Sequence, residues 1–145
     1  MIELRKATTG DVDVFVGFES DADTRQFILS YSAEKHHAVM RQPDVIYLAI
    51  MQAQAVAGFI ILALDGDDSV EFRRIVVGSK GAGTGQAAIL AIEQYCRVQL
   101  ARRRVWLDVF DANDRGKYIY QKLGYQPFAT DNVAGQTLLL MEKWL

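Results

Sequence analysis

The sequence predicts a mixed α/β fold: a mostly antiparallel sheet of six to seven strands, one central parallel β-α-β crossover, and helices on both faces. Three observations carry this. Three apolar runs, 45–51, 56–64 and 70–77, are joined by short polar links, as in an antiparallel meander. A glycine loop then opens an amphipathic helix that leads into a nearly continuous apolar run at 105–110. Such a run marks a strand covered on both faces, and strand–helix–strand at this spacing is a right-handed parallel unit. Two last strands, 125–129 and 137–142, close the chain as a hairpin.

Each element has a local reason. Residues 2–7 alternate as a first strand. Thr9 or Asp11 caps a short helix over 12–19. Ser32 caps a second helix with Glu34 and Lys35 in its first turn, running to about Arg41 before Pro43. The link Gln52–Ala55 and the turn Asp65–Asp68 separate the meander strands. After the glycine loop, a helix covers 84–101, with Arg102–Arg104 at its end, where positive charge complements the helix dipole and is solvated. A further helix over 113–123 stops at Gly124, a good left-handed terminator.

The 145 residues suit one domain, 1–145, with enough chain for a core of its own. Half the residues are apolar and the formal net charge is −2, which argues against a nucleic-acid backbone as partner. No apolar run approaches a membrane span, and the first residues lack the apolar stretch of a signal peptide. Cys96 is the single cysteine. It cannot form an internal disulfide, which fits a reducing, cytoplasmic location, and its helical position reads as core packing. His36 and His37 are adjacent on a helix, cannot chelate as an i,i+4 pair, and read as surface residues; no metal is expected. Trp106 and Trp144 read as core or interface, and Tyr118 and Tyr125 as core aromatics.

The loop SKGAGTGQ (79–86) raises the question of which anion it holds. A Walker A loop is excluded, because Gln86 follows Gly85 where lysine is needed. Gly83-x-Gly85-x-x-Ala88, with Asp108 about 20 residues on, fits a dinucleotide fingerprint. Too little chain follows to wind that sheet.

A third reading draws on two segments. Lys80-x-x-Gly83-x-Gly85 resembles the pyrophosphate loop of the GNAT N-acetyltransferase superfamily, which usually carries Arg or Gln at the first position. The segment from Asn113 through Tyr120 to Gly124-Tyr125 is similar to that family's Asn-x-x-Ala-x-x-x-Tyr-x-x-x-Gly-Phe. Lysine at 80, a link from Val77 about two residues shorter than usual, and Gly116 in place of alanine are the departures; the last is expected only to loosen the helix.

The resemblance implies the GNAT fold and acetyl-CoA as acyl donor. Backbone N–H groups of Gly81, Ala82, Gly83, Thr84, Gly85 and Gln86 would face the pyrophosphate, with Lys80, Arg115 and Lys117 as counter-charges. The backbone of Ile75, Val76 and Val77 would pair with pantetheine on a strand that splays from its parallel neighbour. Asn113 would bond the pantetheine amide, and Tyr120, two turns on, would protonate the departing thiolate. The base is Glu71 or Asp108. Strict alternation sets Glu71 on one face with Arg73, Ile75 and Val77; its competing role is an ion pair with Arg73 or Arg74. Phe27 and Tyr31 would line the acceptor pocket. The expected reaction is direct transfer to a small-molecule or peptide amine. A noncatalytic acyl-CoA-binding module and a dinucleotide-binding domain stand as alternatives. The acceptor and the oligomeric state, a homodimer included, are left open.

Overall fold

The computed structural model describes residues 2–20, 30–78 and 83–145. Strand β1 (Ile2–Lys6) leads through a 3-10 turn (Thr9–Asp11) into helix α1 (Val12–Glu19). Asp11 precedes α1, but its carboxylate takes the Arg5 guanidinium at 3.0 Å and the Thr8 N–H at 2.8 Å rather than capping the helix. Helix α2 (Ala33–Met40) starts as expected, with the Ser32 hydroxyl accepting from the Lys35 N–H at 3.1 Å.

Strands β2 (Val45–Gln52), β3 (Ala55–Asp65) and β4 (Ser69–Val77) form the meander. Ala53 and Gln54 both adopt positive φ, which gives the β2–β3 hairpin a tight two-residue turn. Helix α3 (Thr84–Val98) crosses over to β5 (Arg104–Phe110). It ends before the expected residue 101, because Ala101 turns left-handed and the Arg102 N–H bonds the Cys96 carbonyl at 2.9 Å. Helix α4 (Asp114–Lys122) is capped by Asn113 and followed by Gly124 at φ +100, the expected stop. Strands β6 (Gln126–Val133) and β7 (Gln136–Trp144) are longer than the sequence suggested and turn at Ala134–Gly135.

The sheet order is β1-β2-β3-β4-β5-β7-β6, and among the described residues β4–β5 is the one parallel pair. One face builds a core from Leu48, Ile60, Phe72, Leu107 and Met141 against Ile89, Ile92 and Cys96 of α3; Ile119 and Tyr120 of α4, and Leu123 just after it, pack onto it. The other face packs Tyr47, Phe59, Ile61 and Val76 against Phe15 of α1 and Val39 of α2. Among the described residues, no helix is long and apolar enough to cross a membrane.

The parallel pair is short. β4 and β5 match only at Ser69–Arg104, Val70–Val105 and Glu71–Trp106. Both strands run on, β4 to Val77 and β5 to Phe110, without pairing to each other. The sheet therefore opens as a wedge whose facing edges, among the described residues, have no strand between them.

Candidate active site

The wedge needs partners for its backbone, since buried N–H and C=O groups are rarely left unpaired. Its β4 wall contains a bulge. Ile61 pairs with Arg74 and Leu62 with Phe72, so Arg73 is the extra residue. This corrects the expected alternation. Val70, Phe72, Ile75 and Val77 turn to the α3 face, whereas Val76 joins the α1–α2 face. Glu71, bonded to Arg73, thus lies opposite Ile75 and Val77 rather than beside them.

β3 crowds this wall from behind. A Cβ on Gly58 would overlap the Val76 carbonyl oxygen, so only glycine lets the two backbones approach. At the wide end of the wedge, Gly83 takes φ +75 and α3 begins. The first bond back onto the cap is Ala87 N–H to Gly83 C=O at 3.1 Å. The N–H groups of Thr84, Gly85 and Gln86 form the first turn of α3 and have no acceptor within the helix among the described residues, the arrangement that attracts an anion. The Thr84 hydroxyl donates to Gln52 Oε1 at 3.3 Å, tying the helix start to the end of β2. Lys80, Gly81 and Ala82 lie outside the described residues, as does Phe27.

Asp108 stands on the β5 wall. Continuing the β4–β5 ladder would set it against Arg73. Its carboxylate is open to water, yet the surrounding walls thin its hydration. Loss of hydration first, then the charge of Glu71, raises its pKa; Arg73 and Arg74 partly offset this. Glu71 accepts from the Arg73 guanidinium at 3.0 and 3.3 Å, the structural pairing that competes with a role as base. Tyr120 reaches from α4, packed edge-on against Tyr125 with ring centroids 5.9 Å apart. Burial, then the charge of Asp108, pushes its pKa up to about 12. Its hydroxyl keeps its proton at neutral pH and feels the charge of the acid.

Three candidates are already engaged. Asn113 accepts the Gly116 N–H at 2.9 Å as the cap of α4. A Cβ at Gly116 would come within 2.7 Å of the Asn113 amide nitrogen, so this glycine makes room for the cap, a larger role than loosening the helix. Lys117 is held by Asp111 at 2.9 Å and Asp114 at 3.6 Å, and the Asp111 hydrogen bond raises its pKa. The Tyr31 ring carries two cations of its own chain, Arg74 at 4.0 Å and Lys35 at 4.3 Å from the centroid.

Other expectations divide. Cys96 is buried in the core, and burial pushes its thiol up to about 12, too high for a nucleophile. Tyr125 is buried and donates to Glu93 at 2.9 Å, as a core tyrosine does. Tyr118, expected in the core, is 62% exposed, because α4 turns that residue outward. Trp144 is exposed, and Trp106 donates to Asp65 at 2.9 Å.

His36, expected at the surface, is fully buried. Its Nε2 bonds Glu19 and its Nδ1 meets the Tyr47 hydroxyl at 2.7 Å. Glu19 is also fully buried and takes the Arg74 guanidinium. This group was missed by reading the sequence, although a signal existed. Val12, Phe15 and Glu19 lie at i, i+3 and i+7, one helical face, and His36 shares a face with Val39.

Comparison with known proteins agrees with this geometry. The profile of the acetyltransferase (GNAT) family matches residues 13–125. The chain belongs to that family. No curated protein sequence matches it significantly. Spermidine N-acetyltransferase from Vibrio cholerae, solved with CoA and spermine, superposes with a TM-score of 0.85 over 99% of this chain and 95% of its own, at 17% identity. Aminoglycoside acetyltransferase AAC(6')-Ib, solved with coenzyme A, superposes with a TM-score of 0.84 over 99% and 95%, at 13% identity. At such identities the likeness is one of fold.

Proposed function

We propose that this protein is an acetyl-CoA-dependent N-acetyltransferase that moves the acetyl group directly to a primary amine. The observation that carries the reading is the wedge between β4 and β5, with the first-turn N–H groups of α3 at its wide end and Tyr120 within reach of the charge of Asp108. When bound, acetyl-CoA supplies a thioester whose carbon–sulfur bond breaks as the new carbon–nitrogen bond forms.

The residues divide that work. The N–H groups of Gly83 to Gln86 face the diphosphate, with Lys80, Gly81 and Ala82 completing the loop. The open edge at Ile75, Val76 and Val77 accepts the pantetheine arm as a short added strand. Lys117 and Asn113 flank the arm, although both already have partners. Asp108 takes the amine proton, directly or through water; its raised pKa suits it to that role, and Glu71 is already engaged by Arg73. Glu71 tunes that pKa by its charge. Tyr120 gives its proton to the departing sulfur, and its burial keeps that proton in place. The buried Cys96 offers no acyl carrier, which favours one-step transfer. Phe27 and Tyr31 border the acceptor, Tyr31 by its edge or hydroxyl, since cations already occupy its ring.

Thiol release from acetyl-CoA across a panel of amines tests the reading. The native protein should turn over at least one amine. Tyr120→Phe should lose about a hundredfold in kcat while holding acetyl-CoA as tightly. Binding without thiol release from any amine would favour a noncatalytic acyl-CoA module.

A further inference from the structure

We propose that the buried Glu19–Arg74 pair, completed by His36 and Tyr47, is a positioning device that pins the register of β4 and so sets the backbone of Ile75–Val77. The proposal rests on the reading of the wedge as the active site. Glu19 is the last residue of α1, where the helix dipole opposes a negative charge, and it has no access to water. Arg74 neutralises it. The His36 ring makes the remaining bonds, Nε2 to Glu19 and Nδ1 to the Tyr47 hydroxyl. Burial raises the Tyr47 pKa and keeps its hydroxyl proton in place.

A buried pair of this kind often adds no stability over apolar packing. What it selects is one arrangement. β4 is exposed to a particular error: from Phe72 onward its partner strand among the described residues is β3 alone, and it carries one extra residue at Arg73. A slip by one residue would turn every side chain beyond the bulge to the opposite face. Ile75 and Val77 would leave the core, and the backbone groups facing the wedge would exchange roles. Arg74 is the first residue after the extra one, and its guanidinium is gripped from α1 by Glu19, with the Tyr31 ring 4.0 Å away. Glu19 is held from α2 by His36, and His36 from β2 by Tyr47. Three elements thus converge on one β4 side chain, one residue before the catalytic backbone. Neither Glu19 nor Arg74 need touch a substrate for this.

The test uses the full chain with Glu19→Gln and, separately, Arg74→Lys, which keeps the charge but loses the fork. Backbone amide NMR signals of Ile75, Val76 and Val77 should move in both free variants, while those of β6 and β7 stay. Because the α3 terminus would supply most cofactor binding, kcat should fall about tenfold or more, and KM for acetyl-CoA should change by about twofold at most. A merely structural pair would lower the melting temperature without this split. If Glu19→Gln does not fold, Arg74→Lys carries the same readout. Unmoved amides at 75–77 overturn the proposal whatever the activity. A wild-type protein that turns over no amine overturns the acetyltransferase reading, and the amide signals then decide the register claim alone.

Discussion

The two acids of the wedge divide by their neighbours. Glu71 is tied to Arg73, and its charge raises the pKa of Asp108. A base works ionised, so kcat/KM should climb as pH rises through that elevated pKa. Glu71→Gln removes a raising influence and frees Arg73 toward Asp108, so the acid limb of the pH–rate profile should move to lower pH. A limb that stays or moves upward would show that Asp108 is not the titrating base. Tyr120 and Asp108 were legible as candidates, because one matches a motif position and the other is an acid in an apolar run. Glu19 and Arg74 were not. Arg74 owes its placement to a bulge that no residue type in 70–77 announces, and Glu19 lies 55 positions away along the chain. His36 was legible only as half of an adjacent pair; its burial depends on how α2 docks.

Among the elements, β4 matters most, and Gly58 is its closest neighbour from behind. Gly58→Ala would push the Val76 carbonyl toward the wedge. Overpacking of this sort costs about 1–3 kcal/mol, readable as a lower urea midpoint, and acetyl-CoA affinity should fall with it. A variant as stable as the native protein would mean that β3 and β4 can separate freely. Helices and strands were legible because periods of 3.6 and 2 are strong signals. The failures are specific. The β2–β3 link was read in its right place, and only its conformation went unread: Ala53 and Gln54 take positive φ without the glycine or asparagine that normally marks such a turn. The end of α3 is set by Ala101, again without glycine, so the expected helix ran three residues too far. The face of Glu71 was misjudged because alternation holds only until a bulge.

For the molecule as a whole, the sequence implied the order of elements but not the depth of the wedge. That depth follows from how few residues β4 and β5 share before the sheet twist parts them. If the wedge is the donor site, acetyl-CoA at a hundredfold excess over its Kd should stabilise the fold by about 2.7 kcal/mol. For a chain of this length that is a rise in melting temperature of roughly 5–11 °C. NAD should give none; a shift with NAD alone would return the dinucleotide reading.

The position of the bound donor decides between the acetyltransferase and dinucleotide readings, and a backbone amide titration reads it directly. Adding acetyl-CoA to the labelled native chain should move the signals of Ile75, Val76, Val77, Thr84, Gly85 and Gln86 most. Saturable binding that leaves those six unmoved and perturbs another face of the sheet would contradict the acetyltransferase reading.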